Sequence, residues 1–403
     1  MKRLQLFAFV ALMLLGLMLA GCGGEEKKAE EKAAAPADQA AAPAVQAPQA
    51  EKVLKIGSMS PLTGPYSADG NDIANGARAA IDVFKAQGGI EGYSDIVLYA
   101  EDTACDPKQA VAAANKLISE EVVGVVGAYC SSSTIPASAT FDPEGILMIT
   151  PASTNPQVTE RGLQYMFRVC GRDDHQAPSA VKFMTDYLQA KTIFIVDDKT
   201  TYSQGLAEEV AMNCEKNGIQ VLVHDHVNQG DKDYSAVLTK VKQANPDVFY
   251  VSLQNSATGA LMLIQAKRLG IEAAIMGQDA VYHPQLMEIA KEAAEGAFLT
   301  FGYTDKSTEA FKQFDQANSK YGQVGAYSAY AYDSAYALLT AIKAAGSTEP
   351  AAVREAMLKL DFQGASKSIK FEENGDSGSN YIIFMVENGQ FVPYWDPNTG
   401  SKF

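Results

Sequence analysis

Carboxylate, hydroxyl and thiol side chains gather in this chain where short apolar runs end. Glu101-Asp102-Thr103-Ala104-Cys105-Asp106-Pro107 follows one such run and Ala128-Tyr129-Cys130-Ser131-Ser132-Ser133-Thr134 follows the next. Cys105 and Cys130 therefore stand at neighbouring strand ends. Ends that close can be bridged, and closing a loop of this length would stabilise by roughly 3 kcal/mol on the chain-entropy account; two free thiols are the alternative. Ser131 to Thr134 opens a helical stretch, where unpaired N–H groups and the helix dipole favour an anion such as a carboxylate. Ordinary helix caps use the same residue types, so both readings stay open. Thr150-Pro151-Ala152-Ser153-Thr154-Asn155-Pro156 runs from a strand into a loop held open by prolines, which frees backbone carbonyls and the Thr154 hydroxyl for a ligand. Asp279, after Met276-Gly277-Gln278, could pair with an ammonium group, and Tyr202 ends a comparable strand-to-helix loop.

Catalytic patterns are misleading or missing. Gly375-Asp376-Ser377-Gly378-Ser379 looks like a serine-protease motif, yet no histidine stands in a matching segment, and a hairpin turn is expected there. His224 and His226 share one face of a strand, but no second ligand cluster accompanies them, so no metal is expected. The chain has no Gly-x-Gly-x-x-Gly opening a helix, no phosphate loop and no His-Glu-x-x-His. Neither an enzyme nor a cofactor is expected.

The elements that must position these residues alternate β-rich apolar runs with helix-period stretches, the pattern of parallel sheets flanked by helices. Strands are expected at Val53 to Met59, Ile96 to Ala100, Val122 to Gly127 and Ile146 to Thr150, with helices at Ile73 to Gln87, Pro107 to Glu120 and Ile135 to Pro143. A second series has strands at Thr192 to Val196, Gln220 to His224, Val248 to Leu253 and Ala274 to Met276, and helices from Ala177, Gln204, Tyr234 and Gly259. The remainder, Phe298 to Tyr303, helices near Tyr327 to Ala344 and Pro350 to Leu360 and a hairpin through Ser368 to Trp395, returns to complete both units. The expected fold is α/β with two lobes, 51–172 plus 303–380 and 173–302 plus 381–403, and a ligand crevice at the strand carboxyl ends between them.

At the amino terminus Lys2 and Arg3 precede an apolar run from Leu4 to Ala20, ending in Leu19-Ala20-Gly21-Cys22. This is the pattern of an export signal over 1–21 with a lipobox, and Cys22 is the expected lipid anchor; a transmembrane helix is the alternative. Residues 22–50, rich in Ala, Glu, Lys, Pro and Gln, read as a flexible tether. Losing Lys2 and Arg3 moves the net charge from −15 to −17, with 48 acidic residues against 31 basic ones, which argues against nucleic-acid binding. The cysteines beyond Cys22 are Cys105, Cys130, Cys170 and Cys214; their spacing fits no zinc site, and pairing of the last two is open.

Asp102 to Val111, Cys130 to Thr134 and Gly145-Ile146-Leu147-Met148-Ile149-Thr150-Pro151-Ala152 together resemble the leucine/isoleucine/valine-binding proteins of bacterial ABC uptake systems, over about Lys52 to Trp395. The resemblance implies the type I periplasmic-binding-protein fold, closing on an amino acid. It implies that Ser131, Ala152 and Thr154 hold the ligand's carboxylate and ammonium from the first lobe, and that Tyr202 and Asp279 complete the grip. A Cys105–Cys130 bridge, an extracytoplasmic monomer, and permease and ATPase partners follow from the same resemblance. Asp69 stands where the family usually has an aromatic residue, Gln254 where tyrosine is common, and Tyr129 replaces an aliphatic neighbour of Cys130, while Tyr327 keeps the family's aromatic character. The side-chain end of the site is therefore expected to be more polar than a leucine pocket. An envelope sensor of the same fold, binding an amide or other small polar molecule, is the alternative; a hydrolase lacks a nucleophile and base.

Overall fold

Short runs of Val, Ile, Leu and Met make the first sheet, and helices cover both of its faces. The protein is described by a computed structural model over residues 52–403; the expected signal, Cys22 and the tether lie outside the described residues. Strands β1 (Val53–Ser60), β2 (Asp95–Asp102), β3 (Gly124–Gly127), β4 (Leu147–Thr150) and β5 (Met166–Arg168) pair in parallel in the order β2-β1-β3-β4-β5. Every residue of β3 and β4 is buried, as a parallel sheet covered on two sides requires. The connecting helices are α1 (Ser67–Ala86), α2 (Pro107–Ser119) and α3 (Ser131–Phe141).

The chain then crosses through α4 (Asp173–Asp186) into a second sheet. Its parallel part uses β6 (Thr192–Asp197), β7 (Gln220–His226), β8 (Val248–Ser252), β9 (Ala274–Gly277) and β10 (Phe298–Gly302). Helices α5 (Thr201–Lys216), α6 (Ser235–Ala244), α7 (Ser256–Arg268) and α8 (Pro284–Ala290) link these strands.

Beyond β10 the chain returns to the first sheet's side. Helix α9 (Glu309–Asn318) and the longer α10 (Ser328–Ala345) pack on α1, and α11 (Pro350–Leu358) packs on α10. A Cβ on Gly76 of α1 would collide with the Ser328 carbonyl, so that glycine is what lets the start of α10 approach so closely. Strands β11 (Asp361–Gln363) and β12 (Ser368–Lys370) form a small ribbon. The last crossing leads to β13 (Tyr381–Glu387), β14 (Gln390–Asp396) and β15 (Ser401–Lys402), which add antiparallel strands beside β10.

The Gly375–Ser379 run is not the hairpin turn expected; the hairpin is β13–β14. Asp376 instead threads between the crossings. Its carboxylate accepts from Arg168 Nε at 2.7 Å, Arg172 Nη1 at 2.8 Å and Thr159 Oγ1 at 2.9 Å. Arg168 has no exposed surface, so this buried ion pair ties the last crossing to the first, and it holds the Asp376 carboxyl below the usual carboxylate range against the opposing effect of burial.

Candidate functional site

Strand carboxyl ends and helix amino termini from both lobes converge on one small cavity. Tyr129, Ser131 and Ala152 line it from the first sheet, Tyr202, Gln254, Asp279 and Ala280 from the second, and Tyr327 from the residue before α10; they close on one another so tightly that no water-sized space remains between them. Seven of the nine ligand-site residues expected from the sequence thus meet. Asp69 and Thr154 do not line this space. Both are buried, and Asp69 Oδ1 and Thr154 Oγ1 have no hydrogen-bond partner.

Asp279 follows β9 and is 3 % exposed. Its Oδ1 accepts from Gln176 Nε2 at 2.9 Å and from the Tyr202 hydroxyl, and its Oδ2 accepts from the Tyr327 hydroxyl at 3.3 Å. All three donors are neutral. Burial pushes the carboxyl above its ordinary range, and these hydrogen bonds pull the other way without cancelling it. Gln176 also donates to Thr300 Oγ1 at 2.7 Å, which fixes its amide toward Asp279. The Tyr202 hydroxyl is itself pushed well up, first by burial and then by the charge of Asp279. The result is a desolvated carboxylate with neutral donors around it, an arrangement suited to a cationic ligand group.

The first lobe supplies the opposite chemistry. No side chain caps the start of α3, so the Ser131 to Thr134 hydroxyls do not act as ordinary caps there. Thr134 Oγ1 accepts from the Ala128 amide at 3.1 Å and meets Ser153 Oγ at 2.6 Å. Ser153 Oγ lies within reach of the carbonyls of Ala128 and Tyr129, at 3.1 and 3.0 Å. Thr150 Oγ1 accepts from Ala152 N at 3.2 Å and Ser153 N at 2.9 Å. This network holds the Ala152 loop beside the open end of α3, where N–H groups and the dipole favour a carboxylate. The Cys105–Cys130 disulfide is formed, with Cα atoms 5.5 Å apart, and it braces the residue before α3. Cys170 and Cys214 are buried and free.

At the remaining end Tyr129 packs edge-on against Tyr327 with ring centres 5.5 Å apart, and its hydroxyl donates to the Gln254 carbonyl at 3.1 Å across the two lobes. Asn155 Nδ2 makes a second crossing bond, to the Thr201 carbonyl at 3.2 Å. Asp69 sits behind Tyr129, and burial followed by the neighbouring charge of Asp72 raises its carboxyl well above the usual range.

The chain belongs to the periplasmic binding protein family. The family model matches residues 53–390. The leucine-, isoleucine-, valine-, threonine- and alanine-binding protein of Pseudomonas aeruginosa is 38% identical over 335 residues, covering 81% of this chain and 88% of that protein. Leu/Ile/Val-binding protein homolog 1 of Brucella abortus is 36% identical, covering 83% and 90%. Among solved structures, the leucine binding protein LivK of Thermotoga maritima superposes with a TM-score of 0.79 at 31% identity over 86% of this chain and 99% of that one. Members of the family are extracytoplasmic solute-binding proteins with two α/β lobes, the architecture seen here.

Several residues that build the periplasmic site carry no signal in the sequence. Gln176 and Thr300 aim Asp279, from α4 and β10. Asp198 Oδ2 accepts from the Gln254 amide at 2.8 Å. Asp72 accepts from the Tyr327 amide at 2.7 Å, the Gly325 amide at 3.1 Å and the Ser328 hydroxyl, which places Tyr327 in the wall.

Proposed function

We propose that the protein is an extracytoplasmic receptor that captures an α-amino acid of the branched-chain class and delivers it to the permease and ATPase of an ABC importer. The buried Asp279 carboxylate, held by three neutral donors, carries this reading, because it is matched by an α-ammonium. Ser131, the Ala152 loop and Thr154 face the α-carboxylate in this scheme, and Tyr202 and Tyr327 orient the ligand. Names of relatives support the class: the P. aeruginosa protein is named for leucine, isoleucine, valine, threonine and alanine. The lobes act as a hinge, since so little space between them admits a ligand only when they part and reclose. Cys22 tethers a monomer to the membrane by its lipid. The test is calorimetric titration of ligand-stripped protein with each amino acid; a protein that responds to none of them would overturn the proposal.

A second reading concerns the ligand's side chain. Gln254 and Tyr129 line that end, and Asp69, buried outside the lining, has an Oδ1 without a partner that a ligand would reach only as the lobes part and reclose. A ligand with a side-chain hydroxyl supplies one, so threonine binds more tightly than its isostere valine; equal or reversed affinities would refute this.

A further inference from the structure

The second lobe carries a cluster of metal-ligating side chains away from the amino-acid cavity. Parallel strands β6 and β7 pair so that Ile195 lies opposite His224 and Asp197 opposite His226. Residues two apart on a strand share a face, so both imidazoles rise beside the Asp197 carboxylate. His224 Nε2 lies 2.6 Å and His226 Nδ1 2.8 Å from the same atom, Asp197 Oδ2. The ligand atoms of the three residues all fall within 4.8 Å of one another. Asp225 points to the other face, where it pairs with Lys240 at 2.7 Å, so it does not compete.

We propose that Asp197, His224 and His226 form a binding site for a divalent late transition-metal ion of the zinc, nickel or copper class. Imidazole nitrogen and carboxylate oxygen are the donor types these ions select. Nitrogen–oxygen separations of 2.6 and 2.8 Å subtend roughly 80–85° at an ion about 2.0–2.1 Å from each atom, near the cis angle of a two-histidine, one-carboxylate face. A metal in that position takes the place of the two hydrogen bonds to Oδ2. The other oxygen of Asp197 accepts from the Lys199 amide at 2.8 Å, which fixes the carboxylate plane as an outer partner should. The Asp197 side chain is fully covered, and those of His224 and His226 are 22 % and 39 % exposed, so the site opens to solvent on one side and leaves positions for water. Sequence alone shows the histidine pair; the third ligand arrives from 27 residues upstream through strand pairing.

The test uses the full chain, stripped with a chelator, and Zn²⁺ titrated in competition with a chromogenic chelator, with Co²⁺ as a spectroscopic probe. One ion per chain and a Co²⁺ ligand-field spectrum are expected. His226→Gln and Asp197→Asn should each weaken Zn²⁺ by at least about tenfold and abolish the Co²⁺ bands, while Asp225→Asn leaves both unchanged. His226 is partly exposed, so His226→Gln should unfold at the wild-type temperature, which separates lost binding from lost fold. Zn²⁺ that fails to bind, or binds wild type and His226→Gln alike, would overturn the assignment.

Discussion

Replacing Asp279 by asparagine should separate binding from stability. A carboxylate offers about four acceptor positions. Here Gln176, Tyr202 and Tyr327 use three, which leaves one on a residue that lines the site. Asparagine keeps the shape and one acceptor oxygen but removes the charge, leaving a bound ammonium desolvated and unpaired. Breaking a buried ion pair in this way costs about 3–5 kcal/mol, or roughly 150- to 5,000-fold in Kd. The ligand-free protein should respond in the opposite direction. Burial already disfavours the Asp279 carboxylate and raises its pKa, so removing the charge relieves a cost that the empty protein carries at neutral pH. Asp279→Asn should therefore unfold at or above the wild-type temperature in the absence of ligand. Titration calorimetry with leucine and threonine, paired with thermal unfolding of ligand-stripped samples, reads both effects. A Kd within tenfold of wild type, or weak binding accompanied by a clear loss of apo stability, would refute the argument.

The double variant Cys105→Ser/Cys130→Ser opens the loop closed by a bridge between residues 25 apart and should lose about 3 kcal/mol in urea unfolding; reduced wild type should behave likewise. Asp376→Ala leaves Arg168 fully buried and without its carboxylate partner, and a loss of about 3–5 kcal/mol is expected by the same measurement. Asp333 accepts from Ala365 N and Ser366 N, each at 2.7 Å, and burial raises its pKa to about 6 from 3.8. The folded protein thus keeps this proton after the unfolded chain has released it, so the group makes the native state lose stability as pH rises from about 4 to about 6. Asp333→Asn should remove that component, up to about 3 kcal/mol across the interval, which urea midpoints at pH 4.5 and 7 would reveal.

Strand positions were legible because parallel strands covered on both faces are continuous apolar runs, and eight of them lie within a few residues of their expected bounds. Helix starts were legible unevenly: α6, α10 and α11 begin within one residue of expectation without a side-chain cap, while α5 and α7, capped by Thr200 and Asn255, begin three residues earlier than expected. Asp106 accepts from the amides of Lys108 and Gln109 at 2.9 and 2.8 Å, and α2 begins at Pro107 as expected. Helices α1, α3, α4 and α5 begin three to six residues earlier than apolar periodicity suggests, at Ser67, Ser131, Asp173 and Thr201. Their first turns carry Asp69, Ser131, Gln176 and Tyr202, polar groups buried at the cleft, so the periodic signal starts only beyond the site. Strand β5, three residues long, was missed because so short a run carries no period.

The same physics decides which site residues could be found. Asp279 and Tyr202 stand at strand ends, where position alone suggests a role. Asp69 and Asp72 lie three apart in the first two turns of α1, a spacing that reads as a solvated acidic face, yet they are 2 % and 6 % exposed. What separates them is satisfaction by the protein. Asp72 takes the Tyr327 and Gly325 amides and the Ser328 hydroxyl, from a segment about 255 residues away, and so acts as the cap that seats α10 and its preceding tyrosine. Asp69 Oδ1 receives nothing. A buried oxygen left without a donor costs free energy, so of two acids that the sequence cannot tell apart, Asp72 holds the wall of the site while Asp69, buried outside its lining, is left unsatisfied.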